Sequence, residues 1–260
     1  MAADLRGLPR EQFVIASKGG LRSTGTGLLR DSSPRWLHDG VEASLRSLDT
    51  DYIDLYQVHW PDPSTAFDES ATALGKLVAD GKVRHVGVSN FDVPQMEAFS
   101  ATLPVETLQP PCNLFRRDIE SELLPYAEAA DIGVLVYGPL AHGLLGGHLG
   151  PETRFAPDDW RSRSPMFHGD VFQRNLHAVE RLRRLADAEL GVTLAQLAIG
   201  WTLANPAVDV AIVGTRDPRH VDESVAAAEL ELELDNAVLA LIDQIMREAV
   251  PVAGPSPEGM

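Results

Sequence analysis

Short β-branched runs alternate along the chain with longer stretches whose apolar residues recur at helical spacing. The runs are Phe13–Ser17, Tyr52–Val58, Val86–Val88, Glu106–Gln109, Val134–Tyr137 and Val210–Val213. Such alternation predicts βα units around a parallel sheet. A stretch rich in glycine and serine, Gly19–Ser33, reads as a loop. Ser33-Pro34 then opens a helix, with serine at the N-cap and proline at the first helical position. Leu37, Val41, Leu45 and Leu48 repeat on its buried face. A helix over residues 66–80 is expected to stop at Gly81, and another to start at Asp92-Val93-Pro94. Further helices are expected over residues 118–131, 171–190, 194–205, 218–228 and 236–248, with a long loop leading to Asp170. The fold class is therefore α/β, of the (β/α)8 TIM-barrel type but with six of the eight strands a closed barrel needs. Residues 1–250 read as one domain. Residues 251–260, with three prolines and two glycines, read as a flexible tail.

Composition narrows the function. At 260 residues and 44% hydrophobic, the chain can bury a sizeable core. A net charge of −16 argues against a nucleic-acid surface, which needs a basic patch, and against acidic membranes. An anionic cofactor remains compatible, because a few local cations and a helix N-terminus suffice for a phosphate. Cys112 is the only cysteine, so no intrachain disulfide forms and a reducing, cytoplasmic home is expected. The amino terminus has no secretory h-region, and no apolar run approaches the ~20 residues of a membrane span.

Lys18 and His59 stand at the ends of the first two predicted strands, where an α/β barrel assembles its site. Taken singly, a strand-end lysine is usually solvated and a histidine usually structural; their joint placement is what counts. Tyr52 and Tyr56 have the opposite strand parity to His59 and should face the helices. Ser89, Asn90 and Gln109 end later strands, and their side chains can pair with a carboxamide. Ser89-Asn90-Phe91-Asp92 also reads as ordinary helix capping, and Tyr137 alone reads as a core tyrosine. Gly138-Pro139-Leu140-Ala141-His142-Gly143-Leu144-Leu145-Gly146-Gly147 is a glycine-rich loop suited to close backbone approach to phosphate. It does not fit G-x-G-x-x-G, which excludes a Rossmann reading. Near Asp217-Pro218 a helix begins, and its N-terminus favours anions. Thr215 and Arg216 are placed there to hold a 2′-phosphate, favouring NADP(H) over NAD(H); the alternative for Arg216 is a solvated loop arginine. His142, His148 and His168 fit no compact ligand spacing, so no metal is expected.

Phe13 to Lys18, Asp54-Leu55-Tyr56-Gln57-Val58-His59-Trp60-Pro61, Val86-Gly87-Val88-Ser89-Asn90 and the Pro139–Leu145 loop, in this order, resemble the aldo-keto reductases over Arg10–Glu248. The resemblance implies NADPH-dependent reduction of an aldehyde or ketone, a small-molecule carbonyl substrate. Lys18 and His59 would be catalytic, and Ser89, Asn90 and Gln109 would meet the nicotinamide amide. Tyr137 would stack on the nicotinamide ring, and Gly138, Leu140 and Gly143 would line the pyrophosphate. Gly214, Thr215, Arg216, His220, Glu223 and Ser224 would take the adenosine end, although His220 and Ser224 depart from the commoner residues. Trp60 would border the substrate. The family's catalytic tyrosine and aspartate lie upstream of the lysine strand. The resemblance therefore implies that the first two βα units, on the order of 50–60 residues, are missing, that catalysis is impaired, and that open sheet edges favour self-association. A non-catalytic NADP(H)-binding regulatory or scaffold protein is the alternative, and a fragment that does not fold alone is a third reading.

Overall fold

A computed structural model of the protein describes residues 7–25, 27–215, 217–229 and 234–252. Arg216 and residues 253–260 of the expected tail lie outside the described residues. Eight strands and eight α-helices are found among those described. Six strands are parallel: β1 (Ala16–Gly19), β4 (Ile53–Val58), β5 (Val83–Ser89), β6 (Thr107–Gln109), β7 (Gly133–Tyr137) and β8 (Val210–Ile212). The alternation with helices makes the fold α/β. The other two strands, β2 (Leu21–Ser23) and β3 (Leu28–Arg30), form an antiparallel hairpin inside the segment expected to be loop. Trp36 Nε1 donates to Leu21 O at 3.2 Å and pins this hairpin to the first helix.

Two compact units are present: residues 7–110 with 122–134, and residues 111–121 with 135–252. In the first unit β1 pairs with β4, β4 with β5, β5 with β6, and β6 with Gly133 and Val134 of β7. Helices α1 (Pro34–Leu48), α2 (Phe67–Ala79), α3 (Val93–Ser100) and α4 (Leu123–Ala129) belong to it. Ser33 Oγ accepts from Trp36 N, so the expected serine cap with proline at the first turn is present. Leu37 and Val41 are fully buried, while Leu45 and Leu48 are half-buried. Gly81, at φ +73°, ends the turn after α2. The expected helix over residues 118–131 is instead a 3-10 turn at Asp118–Glu120 followed by α4. Pro125 explains the break, because its ring would clash with the carbonyl of Ser121 in a continuous helix.

The strand β1 starts three residues later than the β-branched run suggests. Its preceding Ile15 N–H goes to the Asp54 carboxylate at 2.8 Å rather than into the ladder. Asp54, at the start of β4, also accepts from Arg10 at 2.5 Å and from Arg84 at 3.1 Å. The Tyr52 ring lies against both guanidinium groups. Burial works against the Asp54 charge, but the Ile15 N–H and the two arginines hold its carboxyl below the usual aspartate range.

The second unit contains Leu135–Tyr137 of β7 paired with β8. Helices α5 (Gly169–Leu185), α6 (Leu194–Leu203), α7 (Pro218–Glu229) and α8 (Asn236–Met246) surround this pair in sequence. The helix expected over residues 171–190 ends as α5 plus a π turn at Ala186–Leu190, closed by Gly191 at φ +64°. Arg117 ties residues 111–121 to α8, donating to both oxygens of Glu120 and to Asp243. Val250 N donates to the buried Asn175 Oδ1, and Val252 N to Phe115 O.

Candidate functional site

In the first unit the parallel register sets the polar strand ends in rows. Lys18 lies opposite Gln57, Gln57 opposite Gly87, and Gly87 opposite Thr107. Ser89 lies opposite Gln109. Lys18 Nζ donates to Gln109 Oε1 at 2.8 Å. Gln109 Nε2 donates to Gln57 Oε1 at 2.7 Å, and Gln57 Nε2 to Thr107 Oγ1 at 3.1 Å. Gln57 and Gln109 are buried, so these bonds replace water rather than compete with it. The expected pairing partners of a carboxamide are thus already connected to one another.

His59 follows β4 and is held by its backbone. Its N–H donates to Gly19 O at 2.8 Å, and its carbonyl accepts from Asn90 Nδ2 at 3.0 Å. The ring is half-buried. Burial, helped by the Lys18 charge, pushes its pKa down to about 4, so the imidazole is neutral at physiological pH. Ser89 Oγ donates to Gln109 O at 2.8 Å and accepts from Asn90 Nδ2 at 3.0 Å. Asn90 itself sits in the left-handed region at φ +62°. Ser89 and Asn90 therefore stitch the ends of β4, β5 and β6 together. The cap of α3 is a different residue, Asp92, in a reciprocal box with Gln95.

The tyrosines of this sheet follow the parity argument. Tyr56 is fully buried, and a Cβ added at Gly19 or Gly40 would fall 1.9 Å or 2.8 Å from its hydroxyl. That places the hydroxyl between β1 and α1, on the helix side. Tyr52 is committed to Arg10 and Arg84. Trp60 is buried, with the Arg30 guanidinium 4.7 Å from its ring centre. Its indole N–H has no hydrogen-bond partner among the described residues.

In the second unit Leu140, Gly143, Gly214, Thr215, His220, Glu223 and Ser224 line one cavity of about 740 Å³. Two sequence segments thus converge: the glycine-rich loop after β7, and the turn from β8 into α7. Ala141, His142 and Gly143 all have positive φ, at +47°, +56° and +99°. Positive φ is strained for Ala141 and His142, and such strain is concentrated at binding sites; the Ala141 N–H donates to Gly138 O and the Gly143 N–H to Leu140 O, which holds the loop in this turn. Thr215 Oγ1 donates to Asp217 O and accepts from Asp217 N, and Asp217 Oδ1 accepts from Arg219 N at the start of α7. Ser224 Oγ donates to His220 O at 2.7 Å. Tyr137, which ends β7, is half-buried and accepts from Cys112 N. Gly138, at φ +69°, begins the loop, and its carbonyl accepts from Asn113 Nδ2. Neither lines the cavity.

Several residues here escape a reading by motif. Arg161 and His148 line the cavity. Arg161 is gripped by Asp159 and donates to His142 O at 3.2 Å, which fixes it beside the strained loop. The His148 and His220 rings stack with centres 5.9 Å apart. Nothing in the long loop's sequence marks Arg161, and His148 stands out there only as one of three histidines without a ligand spacing. Gln57, by contrast, was visible as a polar residue of His59 parity inside an apolar strand. Among the described residues no group of three or more histidine, cysteine or carboxylate side chains could hold a metal ion. No described helix is long and apolar enough to cross a membrane.

A profile of the Aldo/keto reductase family matches residues 2–247. The chain is 42% identical over 213 residues to "Aldo-keto reductase YhdN" of Bacillus subtilis (strain 168), covering 82% of this chain and 64% of that protein. It is 30% identical over 248 residues to the "NADH-specific methylglyoxal reductase" of Escherichia coli (strain K12), covering 90% and 75%. Among solved structures it is similar to the glycerol dehydrogenase AKR11B4 from Gluconobacter oxydans, with a TM-score of 0.87 and 36% identity. That match covers 98% of this chain and 79% of the other. The chain therefore spans about two thirds of the length of the Bacillus protein. The fold is of the (β/α)8 type, with six parallel strands among the described residues.

Proposed function

Because this chain belongs to the aldo/keto reductase family, we propose that it binds NADP(H) and serves the reduction of a small aldehyde or ketone. The observation that carries this reading is the cavity of the second unit. Seven residues assigned from sequence to the phosphate and adenosine end line it together, beside a loop with three consecutive positive φ angles. Its dimensions suit part of a dinucleotide, and Arg161, Thr215 and His220 suit its anionic groups. In this reading Gly138, Leu140 and Gly143 meet the pyrophosphate. Gly214, Thr215, Arg216, Glu223 and Ser224 take the adenosine 2′-phosphate and base. Ser89, Asn90 and Gln109 orient the nicotinamide amide, Tyr137 supports its ring, and Trp60 borders the substrate. The bound cofactor supplies hydride.

Lys18 and His59 then act on the carbonyl. The ammonium provides positive potential, and the N–H of the neutral imidazole donates to the carbonyl oxygen to orient it. Tyr56 is turned to the helices and Tyr52 is held between guanidinium groups, so neither gives the proton; in this reading water protonates the oxygen as hydride reaches the carbon, and turnover is impaired accordingly. The preference for NADP(H) over NAD(H) rests on Thr215 and Arg216. The Escherichia coli relative, NADH-specific by name, makes this preference the point to test.

Titration with NADPH and NADH, followed through tryptophan fluorescence, tests the reading. Saturable binding is expected with NADPH favoured, and Arg161→Ala is expected to weaken NADPH about tenfold through lost charge-assisted bonds. Absence of saturable binding by either cofactor would overturn it.

A further inference from the structure

We propose that Gln57, together with Thr107, is a positioning residue: it locks the Gln109 amide in the orientation that the Lys18 ammonium dictates, and so fixes how both groups are presented. The functional part of this inference rests on reading the strand ends as the nicotinamide side of a reductase site. The argument starts from donor counting. An ammonium only donates, so Gln109 must turn Oε1 toward Lys18. That leaves Gln109 Nε2 facing Gln57, which must therefore offer Oε1. The Gln57 Nε2 is then directed to Thr107 Oγ1. Every donor in the row points away from Lys18. Inverting the Gln57 amide would set N–H against N–H at 2.7 Å, and inverting that of Gln109 would set N–H against the ammonium.

Burial gives this order its force. Gln57 is fully buried and Gln109 is 5% exposed, so no bulk water takes over a lost bond. A chain of aligned bonds ending on a charge is also polarised by that charge. Gly87 makes the crossing over β5 feasible. A Cβ there would lie 2.0 Å from Thr107 Oγ1 and 3.1 Å from Gln57 Nε2, where the two side chains now meet. The second hydrogen of Gln109 Nε2 and the second lone pair of Oε1 are thereby held in one orientation for a carboxamide. Gln57 acts through Gln109, not on the substrate.

The ligand-free chain provides the first test, by NMR of the Lys18 ammonium and the Gln109 side-chain amide. Gln57→Leu keeps the volume and removes both bonds. It is expected to speed Lys18 Nζ hydrogen exchange about fivefold or more and to shift the Gln109 amide signals. Gln57→Glu retains an acceptor for Gln109 Nε2 and lets the Thr107 hydroxyl donate, so exchange should stay within about twofold of the unmodified chain. A merely structural role would lower thermal stability without this rescue. Thr107→Val, nearly isosteric, should give an intermediate acceleration, and it carries the test if Gln57→Leu does not fold. Unchanged exchange in Gln57→Leu, or in Thr107→Val where Gln57→Leu does not fold, would overturn the proposal, as would equal acceleration by Leu and Glu at position 57.

Because no cofactor is present, these outcomes stand whether or not NADPH binds. The second arm compares NADPH with 2′-phospho-ADP-ribose, which lacks nicotinamide. Gln57→Leu should weaken NADPH about tenfold and the fragment by no more than about twofold. Equal weakening of both would contradict the positioning role.

Discussion

Asp54→Ala is expected to cost about 3 kcal/mol of stability, the largest loss from any single carboxylate in the first unit. Asp54 is the common acceptor for the Ile15 N–H, Arg10 and Arg84, and its side chain is only 10% exposed. Truncation leaves a buried N–H without its partner and two guanidinium groups facing each other across Tyr52. Asp54→Asn keeps the size and one acceptor oxygen, so it should cost roughly half as much. For a chain of this size the alanine variant should melt on the order of 6–12 °C lower. The pH dependence has a definite sign. The folded-state carboxyl titrates below its unfolded value, so its contribution is fully present above about pH 4 and is lost as pH falls through the lowered value. Thermal melting of the three proteins between pH 3 and 7 checks this. Equal melting temperatures for the alanine variant and the unmodified chain at pH 7 would contradict the role given to Asp54.

Replacing His59 by Ala or Lys18 by Met is expected to lower carbonyl reduction on the order of 10²–10⁴-fold. His59 is poised by burial and by the Lys18 charge to titrate at about 4. Between pH 5 and 8 it stays neutral, so the rate should show no inflection from this group there. Below that range the ring gains a proton and a charge, so any change in rate from this group should appear only as pH drops through about 4. Lys18→Met removes one of the two causes of the low pKa, so the His59 titration should move up toward the ordinary imidazole value. Steady-state rates across pH, with the His59 titration followed by NMR, separate these effects. An inflection near pH 6.5 that disappears in His59→Ala would show that the imidazole is not held neutral.

The sheet was legible in the sequence because its signals are local. Six β-branched runs, the Ser33-Pro34 helix start and the Gly81 stop each depend on a few neighbouring residues. Tyr56 and His59 fell on opposite faces because side-chain parity on a strand is fixed by geometry. The misses have non-local causes. β1 begins late because a side chain from β4, 39 positions away, takes the Ile15 N–H. The β2–β3 hairpin is stabilised by Trp36, which lies beyond the loop it closes. Pro125 was visible, but its clash with the carbonyl of Ser121 matters only once a continuous helix is attempted.

The polar strand ends were legible as residues, though not their connections. Lys18, His59, Ser89, Asn90 and Gln109 stood out as polar residues ending apolar strands. What the sequence did not reveal is that Ser89 and Asn90 spend hydrogen bonds on strand ends rather than on a helix cap. Gln57 shares the strand parity of His59, but a single polar residue within a strand indicates no role by itself. Its meaning appears only when the register sets it between Lys18 and Gly87. Arg161 and His148 come from a loop without periodicity, and only tertiary structure brings them to the cavity wall.

Hydride transfer itself is the most direct test of the central claim. The protein would be incubated with an aromatic aldehyde and NADPH carrying deuterium at the transferable C4 position. The expected result is an alcohol with one deuterium on its carbinol carbon for each NADP+ formed. An alcohol without deuterium, or saturable NADPH binding with no alcohol formed, would contradict a carbonyl reductase and leave cofactor binding as the function.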